Sequence, residues 1–286
     1  MRPFNQIERL ERAEALDKPA AIVRDTVQRV LSDRRIKDAL HGVWLGHPVH
    51  PVIVQITLGS FMSASLIDLV GGNRRSSTAL IATGLALTPP TVAAGWADWS
   101  TSNPDQQRVG LVHAATNVVA VSCYAAALTR RARGRSGRLL SLAGAAISSI
   151  GATLGGHLAY HQALGANHAD RVRDLGPRDW QTLGRVADLP ERSPVRCDAG
   201  DVPVFVLRRG LDVTVLADRC PHLAAPLSEG EVVGTDGDTC VVCPWHGSQF
   251  RLDDGAVVHG PATAAVPRFE TRIRNGEVEA RLAPGS

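Results

Sequence analysis

The sequence has few aromatic residues and few cysteines, and each shortage excludes a class of protein. Phe, Trp and Tyr make up 4% of the 286 residues. No stretch interleaves them with basic residues, so we expect no nucleic-acid partner. The five Cys residues lack the spacing of a disulfide framework. Residues 1–45 also lack the short apolar core of a cleavable signal peptide.

Charged residues are scarce between residues 46 and 165, where four long apolar segments follow one another. A bilayer crossing needs about 20 mostly apolar residues, which predicts a four-helix transmembrane bundle rather than a buried soluble one. Pro89 and Pro90 should kink or break the second helix. Gly144, Gly151 and Gly155 should let the fourth approach a neighbour closely. The predicted helices lie at about 51–70, 78–97, 110–129 and 139–160.

Residues 1–45 are charged throughout, with apolar residues at helical spacing between Ile22 and Leu31. This pattern predicts an amphipathic helical segment. Such a segment could lie on the membrane surface or pack on the C-terminal domain.

Basic residues are concentrated in the loops after the first and third apolar segments. They are Arg74, Arg75, Arg130, Arg131, Arg133, Arg135 and Arg138. Lys and Arg favour the cytoplasmic side of a membrane. We therefore expect a multi-pass protein of the cell membrane whose C-terminal domain is extracytoplasmic, with the cytoplasmic side as the alternative.

The C-terminal part alternates apolar and polar residues in short runs punctuated by Gly and Pro, as β-strands do. Strands are predicted near 182–186, 202–207, 213–217, 241–242, 266–273 and 278–282. The fold class is therefore α plus all-β in two domains, the second an antiparallel β barrel or sandwich with a subdomain inserted near 219–262. After a linker over 166–178, this domain spans 179–286.

Two short motifs in this domain each pair one Cys with one His. Cys220-Pro-His222 is followed, after twenty intervening residues, by Cys243-Pro-Trp-His246. A [2Fe–2S] centre with two thiolates on one iron and two imidazoles on the other needs this mixture from each arm. A zinc site is the alternative, but zinc fingers usually pair Cys with Cys and His with His along the chain.

The two motifs resemble the ligand signature of Rieske domains, and the resemblance covers about residues 178–284. It implies that Cys220 and Cys243 hold the inner iron of a [2Fe–2S] cluster, and that His222 and His246 hold the outer one. Gly260-Pro261-Ala262 resembles the proline-containing loop that covers the cluster. Gly247, Ser248 and Pro261 would then surround the ligands.

The sequence departs from respiratory Rieske domains where those carry an extra Cys in each arm. Ala225 and Trp245 stand near these places, so we expect no disulfide. Phe250 replaces a hydrogen-bonding Tyr, whereas Ser248 could still bond a cluster sulfide. Fewer hydrogen bonds to the sulfurs predict a potential in the lower half of the range of about −150 to +300 mV. The pattern is similar to the ferredoxin-type Rieske domains of oxygenase systems.

Five histidines of the membrane half lie towards the side that carries the cluster domain. They are His47, His50, His113, His157 and His161. Polar residues at membrane depth are costly and often functional, so these could ligate haem b or bind a quinone head group. They could instead be solvated by lipid headgroups or bonded to helix ends.

A further motif, Gly46-His47-Pro48-Val49-His50-Pro51, resembles the opening of an uncharacterised family of four-span predicted membrane proteins. This resemblance covers about residues 40–165 and implies no activity.

The sequence therefore predicts a membrane-anchored one-electron carrier whose partners are the lipid bilayer and a redox protein or quinone. It would be a component of an oxidoreductase system rather than a self-contained enzyme. A ferredoxin-like donor to an oxygenase or other redox partner and a redox sensor are the alternatives. An oxygenase itself would need a mononuclear iron site in a large domain after the cluster, and only forty residues follow His246.

Overall fold

The computed structural model describes residues 4–235 and 238–285, which form two compact units. The first unit comprises the described residues up to Asp33 together with Pro48–Gly165. The second comprises Arg34–His47 together with the described residues from Ala166 onward. The N-terminal segment predicted over residues 1–45 thus contributes to both units.

Helices dominate the first unit, and short helices also occur in the second. In the described residues the α-helices are α1 (Phe4–Glu11), α2 (Asp17–Val30), α3 (Arg34–His41), α4 (His50–Leu69), α5 (Arg74–Trp99), α6 (Pro104–Ala132), α7 (Arg138–Gly156) and α8 (Val172–Leu175). Helix α7 continues into a π-helical turn over His157–His161. Helices α4 to α7 are long and apolar enough to cross a membrane, as the sequence predicts.

Of the two expectations for Pro89 and Pro90, a break of the second long helix is wrong, because α5 runs without interruption from Arg74 to Trp99; a kink stays a prediction. Each proline removes one amide donor from the helix. Flanking hydroxyls donate to nearby carbonyls of the preceding turn: Thr88 to Gly84 O at 2.8 Å and Thr91 to Leu87 O at 2.7 Å. Hydroxyls and packing against neighbouring helices make proline tolerable inside a spanning helix.

The four long helices form two hairpins, α4–α5 and α6–α7, that repeat the same contacts. In the first hairpin the His50 ring lies against Gly95, and eleven positions further along α4 the Phe61 ring lies against Gly84. A Cβ on either glycine would lie within 2.9 Å of these rings. Eleven residues are about three helical turns, so both contacts fall on one face.

The second hairpin has an equivalent pair of contacts at the same spacing. The His113 ring lies against Gly155, and eleven positions later the Tyr124 ring lies against Gly144. The sequence-based expectation that glycines of the fourth helix permit close approach is confirmed here. The two hairpins are thus structural repeats. In each, a ring of one helix occupies the space that a Cβ on the facing glycine would need.

Residues at equivalent positions of the two hairpins contact each other. Phe61 and Tyr124 stack with ring centroids 4.2 Å apart and planes 10° apart. Seven positions later in each hairpin, the Asp68 carboxylate accepts a hydrogen bond from the Arg131 guanidinium. Both side chains are buried, with exposed fractions of 8% and 3%. Ser77 also binds this pair, donating to Asp68 at 2.8 Å and accepting from Arg131 at 2.7 Å.

Removing one partner of this ion pair should destabilise the first unit strongly. We expect Asp68→Ala to lower the free energy of unfolding by about 3–5 kcal/mol, because it leaves the Arg131 charge buried and unpaired. The double exchange Asp68→Arg with Arg131→Asp should recover at least half of that loss. The measurement is unfolding of the full chain in one detergent, with the exposed Arg133→Ala as control. An Asp68→Ala variant as stable as this control would contradict the assignment.

The second unit is built from antiparallel strands. They are β1 (Gln181–Arg185), β2 (Val195–Ala199), β3 (Val202–Arg209), β4 (Asp212–Ala217), β5 (Glu231–Val233), β6 (Cys240–Val242), β7 (Gln249–Arg251), β8 (Val257–His259), β9 (Phe269–Arg274) and β10 (Glu277–Leu282). The sheets have the orders β1-β10-β9, β2-β3-β4 and β5-β6-β7-β8. They form an open sandwich and not a closed barrel, within the fold class predicted from the sequence.

One hydrophobic core joins the sheets of this unit. It includes Phe205 and Leu216 of the β2-β3-β4 sheet and Phe250 of the third sheet, all with 0% exposure. The sheet of β5 to β8 forms the subdomain that the sequence places near 219–262. The Cys220-Pro-His222 motif lies in the connection from β4 to β5, and the second motif lies between β6 and β7.

Candidate metal centre

The first motif lies in a loop closed by its own backbone. The Cys220 amide donates to Ala225 O at 2.8 Å, and the Ala224 amide donates to Cys220 O at 2.8 Å. Ala224 has a positive φ of 62°, a conformation that non-glycine residues rarely adopt. Nearby, Asp218 accepts from both the amide and the hydroxyl of Ser228, at 2.6 and 2.8 Å. These bonds fix the direction in which the side chains of Cys220 and His222 project from the loop.

The second motif is closed in the same way. The Cys243 amide donates to Ser248 O at 2.8 Å, and the Gly247 amide donates to Cys243 O at 3.1 Å. Gly247 has a φ of 73°, and glycine reaches this region without the strain that a Cβ would cause. The tight turn therefore brings Cys243 and His246 to the same side of the loop.

A third loop, Gly260-Pro261-Ala262, is bonded to the second motif. The Ala262 amide donates to the Ser248 hydroxyl oxygen at 2.9 Å. Ser248 is fully buried, and its hydroxyl proton stays available for an acceptor beside the motif. The sequence-based expectation that Ser248 could donate a hydrogen bond to a cluster sulfide is compatible with this position.

The two motifs meet so that like donors lie together. The Cys220 and Cys243 thiols are in hydrogen-bonding contact, and the His222 and His246 ring centroids are 5.0 Å apart. The contact with Cys220 lowers the pKa of the Cys243 thiol to about 6 and raises the pKa of the Cys220 thiol. A shared proton between two close sulfurs produces such opposite shifts.

Burial favours the neutral form of both imidazoles of the motifs. Burial lowers the pKa of His222 to about 3, and the nearby rings of His246, His41 and His168 act in the same direction. Burial also lowers the pKa of His246. Neutral imidazole is the form that binds metal ions.

The donor set fits a [2Fe–2S] centre. The Nδ1 atoms of His222 and His246 are buried and have no hydrogen-bond partner within the described residues, although buried polar atoms are usually bonded. Two thiols in contact and two free ring nitrogens are the donors that the two irons require. Cys220, Cys243, His222 and His246 could therefore hold such a cluster.

The four residues differ in their exposure to solvent. Cys220 and Cys243 are buried, at 0% and 3% exposure, while His222 and His246 are half-buried. Trp245, beside His246, is 56% exposed. The imidazole pair therefore lies at the edge of the centre that faces outward from this unit.

Comparison with known proteins identifies the second unit. Residues 179–270 match the Rieske [2Fe-2S] domain model. The ferredoxin subunit of anthranilate 1,2-dioxygenase from Burkholderia cepacia is 35% identical over 36% of this chain and 93% of its own length. The chain belongs to the Rieske [2Fe–2S] family. Its Rieske domain carries a [2Fe–2S] cluster.

Three further comparisons concern the same domain and the helices before it. Ferredoxin CarAc from Metapseudomonas resinovorans is 37% identical to the Rieske domain, over 35% of this chain and 90% of its own length. A chain from the solved complex of reduced oxygenase and oxidized ferredoxin in carbazole 1,9a-dioxygenase covers 36% of this chain and 94% of its own length, with 30% identity and a TM-score of 0.32. Residues 46–168 match a family of predicted membrane proteins, DUF2231.

Helix α3 supplies a residue of the Rieske domain that the sequence analysis missed. The Asp38 carboxylate accepts from the Gly260 amide at 2.9 Å and contacts His259 Nδ1 at 2.7 Å. Gly260 lies so close to α3 that a Cβ there would be 3.2 Å from Val43 and 3.4 Å from His41. Asp38 therefore anchors the loop of Pro261. No local motif marks Asp38, which stands among other charges more than 200 positions before the loop.

The remaining cysteines lie apart from the ligand loops. Cys197 is in β2 and Cys240 in β6, and Cys123 lies within α6. None of the five cysteines is paired in a disulfide in this structure.

The structure divides the five histidines that the sequence grouped as a haem or quinone site. His47 belongs to the second unit and the other four to the first. The Nδ1 atoms of His50 and His113 lie 2.9 and 2.8 Å from the carbonyls of Thr91 and Gly151. His157 and His161 stack on each other with ring centroids 4.5 Å apart. Thr91 and Gly151 lie inside α5 and α7 and not at helix ends, so these bonds differ from the helix-end alternative, and the haem or quinone site stays a prediction.

Breaking the Asp38 anchor should make the cluster easier to remove. We expect Asp38→Ala to shorten the half-life of the cluster under an iron chelator by about tenfold, since ~1.4 kcal/mol of loop anchoring corresponds to that factor. Bleaching of the visible absorbance of the full chain measures this rate. Asp188→Ala, at an exposed position of the same domain, is the control. Equal half-lives in the two variants would show that the anchor does not protect the cluster.

Proposed function

We propose that this protein is a membrane-anchored one-electron carrier. Cys220 and Cys243 ligate the inner iron of its cluster, and His222 and His246 ligate the outer one. The observation that carries the proposal is the convergence of two buried thiols with two half-buried imidazoles whose Nδ1 atoms have no partner in the described structure. A [2Fe–2S] centre so held accepts and releases single electrons.

The protein supplies the route and the surroundings for this transfer. The buried thiol side excludes water, and the half-buried imidazole side lets a partner approach within a short distance of the centre. Pro244 and Trp245 form an exposed apolar surface next to His246, and an aromatic residue at such an edge is typical of a protein contact. Electron exchange therefore takes place at the edge formed by His222 and His246.

The partner that the relatives support is another redox protein. Two relatives that match the Rieske domain over nine-tenths of their length are ferredoxins, and one is named as a subunit of anthranilate 1,2-dioxygenase. An oxygenase component is thus the first partner class to test. A quinone or a haem in the helical unit is the second partner class to test.

The test is a redox titration of the full chain in detergent, followed by optical and electron paramagnetic resonance spectroscopy. We expect about two irons per chain, one reversible one-electron transition, and a midpoint in the lower half of about −150 to +300 mV. A haem α-band in the reduced-minus-oxidised spectrum would add a second redox centre. Its absence would direct the search to soluble partners.

A matched pair of cysteine variants checks the ligands. Cys243→Ser should abolish the cluster signal, because it removes a thiolate from the inner iron. Cys240→Ser changes a buried thiol only three positions earlier, in β6, and should retain the signal and the iron. Loss of the cluster in both variants, or in neither, would contradict the assignment of Cys243.

The helical unit is proposed to anchor the carrier, with the Rieske domain on the extracytoplasmic side. Two arginine-rich loops lie at one end of this unit: Arg74 donates to Arg131 O and Arg135 O at 3.1 and 2.7 Å, and Arg138 donates to Leu69 O at 2.9 Å. Clustered Arg residues favour the cytoplasmic face. The start of α4 and the end of α7 lie at the opposite face of the unit. The chain continues from this end of α7 into the Rieske domain.

Reporter fusions at the C-terminus test this orientation. Alkaline phosphatase fused after the Rieske domain should be active, because it folds only outside the cytoplasm. A green fluorescent protein fused at the same position should be dark when it is exported through the general secretion route. Fusions placed in the loop between α6 and α7 should give the reverse pattern. A bright fluorescent fusion at the C-terminus would place the cluster in the cytoplasm.

A further inference from the structure

A cluster of metal-binding side chains lies in the first unit, in residues outside the Rieske domain. Helix α7 changes at its end from α-helical to π-helical over His157–His161. In this turn the two imidazole rings stack, with planes 27° apart. Single π-helical turns are uncommon and occur frequently at functional sites. The turn presents two ring nitrogens side by side.

Glu11, at the end of α1, completes the cluster. One of its carboxylate oxygens lies 2.6 Å from His157 Nε2 and accepts from Gln162 Nε2 at 3.1 Å. The side chains of His157 and Glu11 are 2% and 20% exposed. One ligand atom from each of Glu11, His157 and His161 lies within 4.8 Å of the others.

Packing of α1 holds the carboxylate in this place. Ile7 of α1 is buried with Val109, Leu154 and Leu158 in one hydrophobic cluster. Arg108 donates to the Glu11 backbone oxygen at 2.5 Å, and its charge is paired with the Asp17 carboxylate at 2.6 Å and the Asp105 carboxylate at 3.0 Å. The end of α1 is thus fixed through its backbone, which leaves the Glu11 side chain directed to the histidines.

Hydrogen bonding alone does not account for the polar atoms that are buried here. His157 Nδ1 and Gln162 Oε1 are both buried without a hydrogen-bond partner in the described residues. A cluster that served only as a structural hydrogen-bond network would be expected to satisfy such atoms. Two histidines and a carboxylate on packed helices are instead a common ligand set for metal ions.

We propose that Glu11, His157 and His161 bind one first-row divalent transition-metal ion, of the class that includes Zn²⁺. Two imidazole nitrogens and one carboxylate oxygen are the three protein ligands of several zinc sites whose fourth position is taken by water. His161 is exposed and Tyr160 next to it is 92% exposed, so solvent reaches that position. Donors of this type exclude a soft monovalent ion, which prefers sulfur ligands.

The test uses the full chain in detergent, with its [2Fe–2S] cluster, loaded with Zn²⁺ and desalted. Elemental analysis should give about one zinc per chain in addition to the two irons of the cluster. X-ray absorption at the zinc edge should show nitrogen and oxygen ligands at about 2.0–2.2 Å and no sulfur at about 2.3 Å. A sulfur shell would mean that zinc occupies the Cys220 and Cys243 site, and it would overturn the proposal.

Variants at two of the ligands complete the test. We expect Glu11→Gln and His161→Ala each to weaken zinc binding at least tenfold. Glu14→Gln, an exposed change three positions from Glu11, should bind zinc like the parent chain. The unchanged cluster spectrum and the thermal unfolding of each variant report that the chain is folded. Zinc binding that is equally strong in Glu11→Gln, His161→Ala and the control would overturn the assignment, as would no zinc above background in the parent chain.

Discussion

The placing of two thiols in contact and two imidazoles side by side is the constraint on which the Rieske domain depends. Each arm must deliver one sulfur and one nitrogen, and each arm is therefore a short loop pinned by its own backbone bonds, from Cys220 to Ala225 and from Cys243 to Ser248. A buried nitrogen without a partner costs about 1–3 kcal/mol. A metal centre that takes these donors therefore contributes its binding free energy to the folding of the domain.

The surroundings of these loops make one side of the site buried and leave the other side accessible to solvent. Phe250 and the β-sheet core cover the sulfur side, while Ser248 joins the Pro261 loop to the second motif. Asp38 then fixes that loop from outside the β-domain sequence. The result is one sheltered side and one accessible side, which suits a centre that passes electrons at its surface.

The candidate ligands and most strands have signals that are local in the sequence. Cys220, His222, Cys243 and His246 stand in two short motifs, and the hydropathy of α4 to α7 is evident without knowledge of their neighbours. Asp38 and Glu11 could not be predicted, since each acts on residues more than 140 positions away. Pro89 and Pro90 do not break α5 for a related reason: packing against neighbouring helices makes proline tolerable inside a spanning helix, and that packing is not visible in the local sequence. Arg131 was expected among loop charges, but α6 continues to Ala132 and buries it against Asp68.

The repeated hairpins raise the question of what distinguishes one from the other. If both carried the same charged residue where Asp68 and Arg131 meet, two like charges would be buried together, which is strongly unfavourable. Opposite charges at equivalent positions make the contact favourable only between one hairpin of each kind. The stacked pair of Phe61 and Tyr124 adds a smaller difference, because the Tyr124 hydroxyl bonds to Ser65 at 3.0 Å. The charge pair thus favours packing of an α4–α5 hairpin with an α6–α7 hairpin and disfavours pairing of either hairpin with a second copy of itself.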